Sequence, residues 1–341
     1  MARNNFACSI NDSVDRSKWL ELVSRSPFST PFQTPRFYDF CNATPHHQGL
    51  VCAVKDKKND YLTLCVADII KENGFKAFFS SRAIVYGGPL LIEDVEEDAL
   101  KCLLDNLHNK LKNKVIYIEI RNLKDYSCYS SVISSLDWKT IPWLNIRKQL
   151  NYKNRDELLN SIKYNRRREI LMTIKSGLQY YEAVNEKEVK EVYAILKNLY
   201  KNKIGLPLPS LRYFKEFRET GLMKVFAVTD QGIVVGGSFC VVSEKNAIYT
   251  FYYCGKRNYK PRTYPTHLAV MAALEYGMRN GLKYLDFMGA GKPGEEYGVR
   301  NYKLGFGGEL VEEGRYLKIE NKILYMLGVK AIHFMRRRNL N

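Results

Sequence analysis

A mixed α/β protein made of two similar domains in tandem, with no coiled-coil arm, is the fold class this sequence predicts. The chain has 341 residues, beyond the roughly 250 to 300 at which a single hydrophobic core stops growing. Each half passes through hairpin strands, a helix and further strands, the order of a mixed sheet with helices packed on it. Between Leu178 and Gly289 nothing carries the sustained heptads of a long coiled coil.

The elements follow from hydrophobic spacing and turn chemistry. Residues 14–24 and 34–42 read as short amphipathic helices around Trp19 and Phe37, and residues 50–55 and 61–71 as strands flanking the turn Lys57-Lys58-Asn59-Asp60. Residues 95–111 have helical apolar spacing, while 115–121 and 143–149 alternate as strands. This places a first domain at residues 1–150, with a boundary near 148–155. In the second domain, residues 151–341, the spacing predicts a strand at 178–184 and a helix at 187–203. A three-strand meander follows at 223–229, 232–242 and 246–255, then a long helix at 264–280 and a strand at 284–289. There is no strict repeat, so duplication is inferred from the order of elements.

Residues 156–176 predict one helix, buried along Leu158, Leu159, Ile162, Ile170, Leu171 and Ile174 and stopped by Gly177. It carries the densest basic cluster of the chain, Lys163, Arg166, Arg167 and Arg168. Successive helical positions are about 100° apart, so some of these cations point outward, either onto phosphates or simply into solvent. Residues 320–341 form a last helix ending in Arg336, Arg337 and Arg338. Its plain reading is packing, back onto the first domain; its sharper one is contact with an anionic bilayer.

Composition bounds the function. Lys and Arg number 53 against 36 Asp and Glu, a formal charge of +17, which suits a polyanionic partner, although solubility alone also accounts for it. No apolar run approaches the roughly 20 residues of a membrane span, and no export signal is visible at the N-terminus. The eight cysteines lack CxxC spacing and read as reduced, buried thiols. The five histidines have no partners at metal-ligand spacing, so no metal is expected. The absence of GxSxG and of GxxxxGK[ST] argues against a hydrolase of that type and against an NTPase.

Residues 282–318 carry the chemistry. Tyr284 to Phe287 reads as a strand, Gly289 and Gly291 break it, and a short helix with Lys303 follows before Gly307-Gly308 breaks the chain again and residues 310–319 resume an extended pattern. A lysine framed by glycine breaks at a strand end can stabilise the negative oxygen formed in acyl transfer. Tyr302 can shape or donate into the same cleft. Asp286 is the nearest carboxylate, read as capping the Gly289 loop rather than as a base.

Asp286-Phe287 with Gly289, then Tyr302-Lys303 and Phe306-Gly307-Gly308, resembles the C-terminal signature of the Fem family of aminoacyl-tRNA-dependent, peptidoglycan bridge-forming transferases, and of Fem-like acyltransferases of the GNAT superfold. Phe32-Gln33-Thr34-Pro35 and Tyr86-Gly87-Gly88-Pro89-Leu90 are similar to its N-terminal landmarks, so the resemblance spans nearly the whole chain. It implies two GNAT-like domains, with an acceptor-side first domain and a catalytic cleft in the second. The implied donor is aminoacyl-tRNA or an acyl thioester, with no bound cofactor. The implied acceptor is an amine on a lipid- or nucleotide-linked cell-envelope precursor, met in the cytoplasm or at the inner face of the membrane. Arg36 stands where the family commonly has a lysine after the FQ-type motif. Arg36, Arg212, Tyr264, Asp286 and Gly289 are the expected substrate-binding positions. A conventional coenzyme A cradle needs glycines before the long helix. This chain has Lys260-Pro261-Arg262-Thr263-Tyr264-Pro265 there, which weakens an acetyl-CoA reading. Lys163, Arg166, Arg167 and Arg168 are then expected on phosphates of a tRNA acceptor stem or of a diphosphate-lipid acceptor. Two alternatives stand beside this reading: a Fem-like N-acyltransferase using acyl carrier protein or acyl-CoA in surface-polysaccharide or lipid modification, and a non-catalytic RNA- or membrane-binding module.

Overall fold

The structure, a computed structural model, describes residues 6–72 and 80–338, with side chains as far as residue 331. The chain forms two compact units, one of residues up to Pro142 together with Glu312–His333, the other of Trp143–Val311 and the residues from Phe334.

The first unit contains β1 (Ala7–Ile10), α1 (Arg16–Arg25), α2 (Pro35–Ala43), β2 (His47–Lys55), β3 (Tyr61–Ile70), β4 (Arg82–Gly87), β5 (Leu90–Leu91), α3 (Glu97–Leu111), β6 (Tyr117–Asn122), α4 (Ser130–Ser135) and β7 (Lys139–Ile141). Asp15 caps α1 by accepting from the Ser17 and Lys18 amides, and Thr34 with Pro35 starts α2. Helix α3 buries Leu100, Leu103, Leu104, Leu107 and Leu111, the stripe its spacing predicts, against the sheet. The N-terminal landmarks are structural here. Gln33 is fully buried; its Nε2 donates to Tyr86 O at 2.7 Å and its Oε1 accepts from Val66 N at 2.8 Å, tying the 3₁₀ turn before α2 to two strands. Gly88 has φ +85°, and a Cβ there would lie 2.5 Å from the Tyr126 ring.

The second unit contains β8 (Leu144–Gln149), α5 (Arg155–Asn160), α6 (Tyr164–Lys175), β9 (Gln179–Glu182), α7 (Glu186–Leu199), α8 (Leu211–Glu219), β10 (Met223–Asp230), β11 (Ile233–Ser243), β12 (Ala247–Gly255), α9 (Pro265–Arg279), β13 (Tyr284–Gly289), α10 (Gly298–Leu304) and β14 (Glu309–Glu312). Its strand order is β14-β8-β13-β12-β11-β10-β9. Helix α9 lies on the sheet, buried through Leu268 to Leu274. The chain then returns to the first unit as β15 (Arg315–Ile319) and α11 (Lys322–Arg338), the latter as far as His333, and the first sheet runs β1-β2-β3-β4-β6-β15-β7, with β5 on β3.

Three sequence expectations are corrected. The boundary falls at Pro142/Trp143, not near 148–155, because β8 pairs antiparallel with β13, Gln149 opposite Tyr284 and Arg147 opposite Asp286. Residues 310–319 are not one strand. They turn at Gly314 (φ 65°), and the two pieces join different sheets. The helix expected at 156–176 breaks at Ser161–Lys163, where Lys148 Nζ donates to Ser161 Oγ at 2.7 Å and Gly305 O takes the Lys163 amide. Among the described residues, helix α11 docks near its start: Glu320 and Asn321 amides reach Ile116 O, and Tyr325 meets the Tyr117 ring edge-on at 5.3 Å. Ile323, Met326 and Leu327 are 73%, 58% and 48% exposed, while Ile332, Phe334 and Met335, also expected to pack, lie outside the described side chains.

Candidate active site

The parallel strands β12 and β13 pair only through Ala247/Tyr284, Ile248/Leu285 and Tyr249/Asp286. Past that point they part. A cavity of about 1230 Å³ fills the wedge, lined by Thr250 to Tyr253 of β12, Phe287 to Gly289 of β13, the first turn of α9 and the Tyr302-Lys303 face of α10. Strands that diverge inside a continuous sheet leave backbone carbonyls and amides without ladder partners, and those groups must be met by side chains or ligand.

Lys303 meets two of them. Its Nζ donates to Phe287 O and to Gly289 O, each at 2.7 Å, and the residue is 6% exposed. An ammonium has three donors, so one N–H remains beyond these two bonds. Burial pulls the amine down from its ordinary 10.5 to about 8, with Asp286 opposing the drop. Lys303 is therefore cationic at neutral pH, held rigidly where two strands open. Asp286 lies beneath, fully buried, its carboxyl raised by burial and countered by Arg147, whose Nη2 is 3.3 Å away. Its Oδ1 accepts the Met288 amide at 2.6 Å and fixes Met288 at φ 56°, a left-handed residue in the strand end that receives Lys303.

The cavity wall opposite is aromatic and polar. Tyr302 stacks on Tyr253 at 5.8 Å and lies under the Arg166 guanidinium at 4.3 Å; burial pushes its phenol well above the usual range. Tyr264 stacks on His267 at 5.0 Å, nearly parallel. His267 contacts Glu169, Arg166 and Tyr302, and burial followed by the neighbouring Arg166 charge lowers it to about 3, so it is neutral. Tyr200, Tyr252 and Tyr297 continue the lining, and Lys256, Arg257, Lys260 and Arg262 contribute from the loop before α9.

Of the expected site residues, the structure brings Lys303, Tyr302, Tyr264 and Gly289 together around this cavity. Asp286 supports it from below as the Met288 cap, close to its expected role. Arg212 lies on α8, mostly exposed and paired with Glu216 at 3.1 Å. Arg36 is exposed on α2 of the first unit. The basic cluster divides. Lys163 and Arg168 are exposed, and Arg167 donates to Asn160 Oδ1 at 2.8 Å. Arg166 turns inward over Tyr302 and Phe306, which corrects its expected place on an outer phosphate-binding face. The reason is helical phase: Arg166 shares a face with Ile170 and Thr173, the buried residues of α6. Sequence reading missed His267, Glu169 and Arg147. The available signal was Tyr264 and His267, three apart at the start of a long helix and hence on one face.

No protein family and no curated protein matches the sequence. Among solved structures the chain is similar to the crystal structure of FemX, with a TM-score of 0.70 and 15% sequence identity over 94% of this chain and 99% of that one. A tandem GNAT protein from the clavulanic acid biosynthesis pathway gives 0.58 and 10% over 92% and 99%. L-PGS from Bacillus licheniformis gives 0.56 and 11% over 93% and 96%. At these identities the likeness is one of fold: a tandem GNAT fold of the Fem-like kind, with mixed sheets in both units.

Proposed function

We propose that the second unit is the catalytic cleft of a Fem-like acyltransferase, moving an activated acyl group, an aminoacyl ester on tRNA, to an amine of a peptidoglycan precursor or related cell-envelope molecule. One observation carries this reading: a buried, charged Lys303 fixed by two strand carbonyls at the mouth of the β12/β13 wedge. A carbonyl bound there turns negative as the amine attacks, and a preorganised ammonium lowers that barrier without reorganisation.

The donor reading is supported by what surrounds the amine. Pro265 brings no N–H to the first turn of α9, the His267 amide is bonded to Tyr264 O, and a Cβ on Gly255 would lie 2.5 Å from the Thr266 amide. That turn faces the cavity but offers it few free amides, the Tyr264 amide being bonded to Thr173 Oγ1, which disfavours a coenzyme A pyrophosphate. Tyrosine walls with a lysine and arginine rim suit a stacked base and its phosphates, and exposed Lys163 and Arg168 suit further phosphate contacts. Arg36 and Arg212 are assigned to the acceptor's phosphates. The exposed apolar face of α11 beside a basic terminus favours peripheral contact with an anionic membrane carrying a lipid-linked acceptor; among the described residues no helix is long and apolar enough to cross one. A second donor, an acyl carrier protein thioester, is favoured by the outer face of α6. There Tyr164, Leu171 and Met172 form an apolar groove flanked by Arg167, Arg168 and Lys175, a match for an acidic carrier.

The test offers the purified protein charged tRNAs, acyl carrier thioesters and acetyl-CoA in parallel, each with lipid-linked and nucleotide-linked peptidoglycan precursors, and reads product mass. Acyl transfer from tRNA to a precursor amine is expected. Transfer from the carrier alone replaces the donor, and transfer from none removes the reading.

A further inference from the structure

The His267 cluster holds information about proton positions that the Lys303 chemistry does not use. Glu169 Oε2 lies 3.0 Å from His267 Nε2, and Tyr302 OH lies 3.2 Å from Nδ1, while Arg166 Nη1 lies 2.8 Å from Nδ1 and 2.6 Å from Nε2. A carboxylate accepts and a guanidinium only donates. A neutral imidazole has one hydrogen, and the Nε2–Glu169 contact is a hydrogen bond only if Nε2 carries it, because a carboxylate offers no donor. Nδ1 then holds the lone pair and accepts from the Tyr302 hydroxyl, while Arg166 Nη1, at similar distances from both ring nitrogens, does not choose between the tautomers. The ring donates nothing to the phenolic oxygen, which keeps its lone pairs free to accept at the cavity that Tyr302 lines. The phenol cannot swing away, being stacked on Tyr253, covered by Arg166 and set edge-on to Phe306 at 5.5 Å.

We propose that His267 is a positioning residue: locked as the Nε2–H tautomer by Glu169, it makes Tyr302 present a hydrogen-bond acceptor, rather than a donor, to the N–H of the attacking amine. This rests on the acyl-transfer reading and reverses the donor role expected for Tyr302. The cavity then has two poles on successive residues of α10. Lys303 donates to the carbonyl oxygen, and Tyr302 accepts from the nucleophile. The amine nitrogen forms its bond to the acyl carbon, the bond from that carbon to the ester oxygen breaks, and the amine proton ends on the departing oxygen. Tyr302 holds the N–H in line during attack, and His267 never takes the proton.

Selective ¹⁵N labelling of histidine reads the tautomer directly, with the His267 signal assigned by its loss in His267→Gln. Around the ring stand Arg166 and Glu169 from α6, Tyr264 from its own helix cap and Tyr302 from α10. A neutral Nε2–H ring persisting from pH 7 to about pH 4 is expected; an Nδ1–H ring, or protonation near pH 6, overturns the proposal. Kinetics with the donor and amine that the parallel assay selects give the second readout. His267→Gln and Tyr302→Phe should each slow turnover about 10-fold, with the donor's KM unchanged, and the double variant should be no slower than Tyr302→Phe alone. Multiplying effects overturn the positioning role. Glu169 is partly exposed, so its variants guard against a folding artefact: Glu169→Gln should release the tautomer and slow turnover, and Glu169→Asp should restore both. If wild-type protein acylates no amine, the acyl-transfer reading fails by itself, while the labelled spectrum still decides the ring's hydrogen.

Discussion

Lys303→Met removes a charge while keeping most of the side chain's volume. Loss of one oxyanion donor should lower kcat by about 100- to 1000-fold, or roughly 3 to 4 kcal/mol of transition-state stabilisation. The pH profile separates charge from shape. Because burial brings the amine to about 8, wild-type kcat/KM should fall as pH rises through about 8, when the ammonium loses its proton. The residual activity of Lys303→Met should lack that alkaline limb. Stability supplies an independent sign. Below pH 8 both folded and unfolded chains keep the proton, and the full cost of burying it is present. Between about 8 and 10.5 the unfolded chain binds more protons, so stability rises with pH. The drop from 10.5 to about 8 amounts to about 3 kcal/mol, gained by wild type over that range and not by the variant, as read by urea unfolding at the two ends. Full turnover in Lys303→Met, or an unchanged alkaline limb, refutes the assignment.

Arg147→Met strands the fully buried Asp286 carboxylate and should cost about 3 to 5 kcal/mol in urea unfolding; an unchanged midpoint would mean that Asp286 is protonated in the native state. Arg36→Ala and Arg212→Ala should each raise the KM for a diphosphate-bearing acceptor about 10-fold without altering donor KM, a charged hydrogen bond being lost. Equal effects on both substrates would contradict an acceptor role. Ile323→Asp with Met326→Asp should abolish co-sedimentation with vesicles containing phosphatidylglycerol and leave activity on a soluble nucleotide-linked acceptor intact. Wild-type protein that fails to sediment at low salt removes the membrane role of α11.

Much of the fold was legible because helices and strands announce themselves through local periodicity. Helices α1, α2, α3 and α9 and strands β2, β3, β10, β11 and β12 lie where their apolar spacing puts them. Partner choice was not legible. The residues of β8 read equally well as the last strand of one sheet or as an inserted strand of the next, since alternation specifies a face and not a neighbour. The same holds for 309–319, where Gly314 marks a turn but cannot say that the chain changes sheets across it.

The site was legible to the extent that its chemistry is local in sequence. Lys303 could be singled out because glycine breaks and a strand end lie within a few residues of it. His267 could not, because its meaning comes from Glu169 and Arg166, about a hundred positions earlier, and from Tyr302, thirty-five later. The misreading of Arg166 has the same origin. Three consecutive arginines look like a surface patch, yet in a helix only phase decides which one faces inward, and the helix had been drawn unbroken through Ser161–Lys163. Restarting it at Tyr164 leaves the phase to the tertiary contacts of Ile170 and Thr173. One cation of the run then packs over a tyrosine beside a neutral histidine, and its neighbours Lys163 and Arg168 stay exposed.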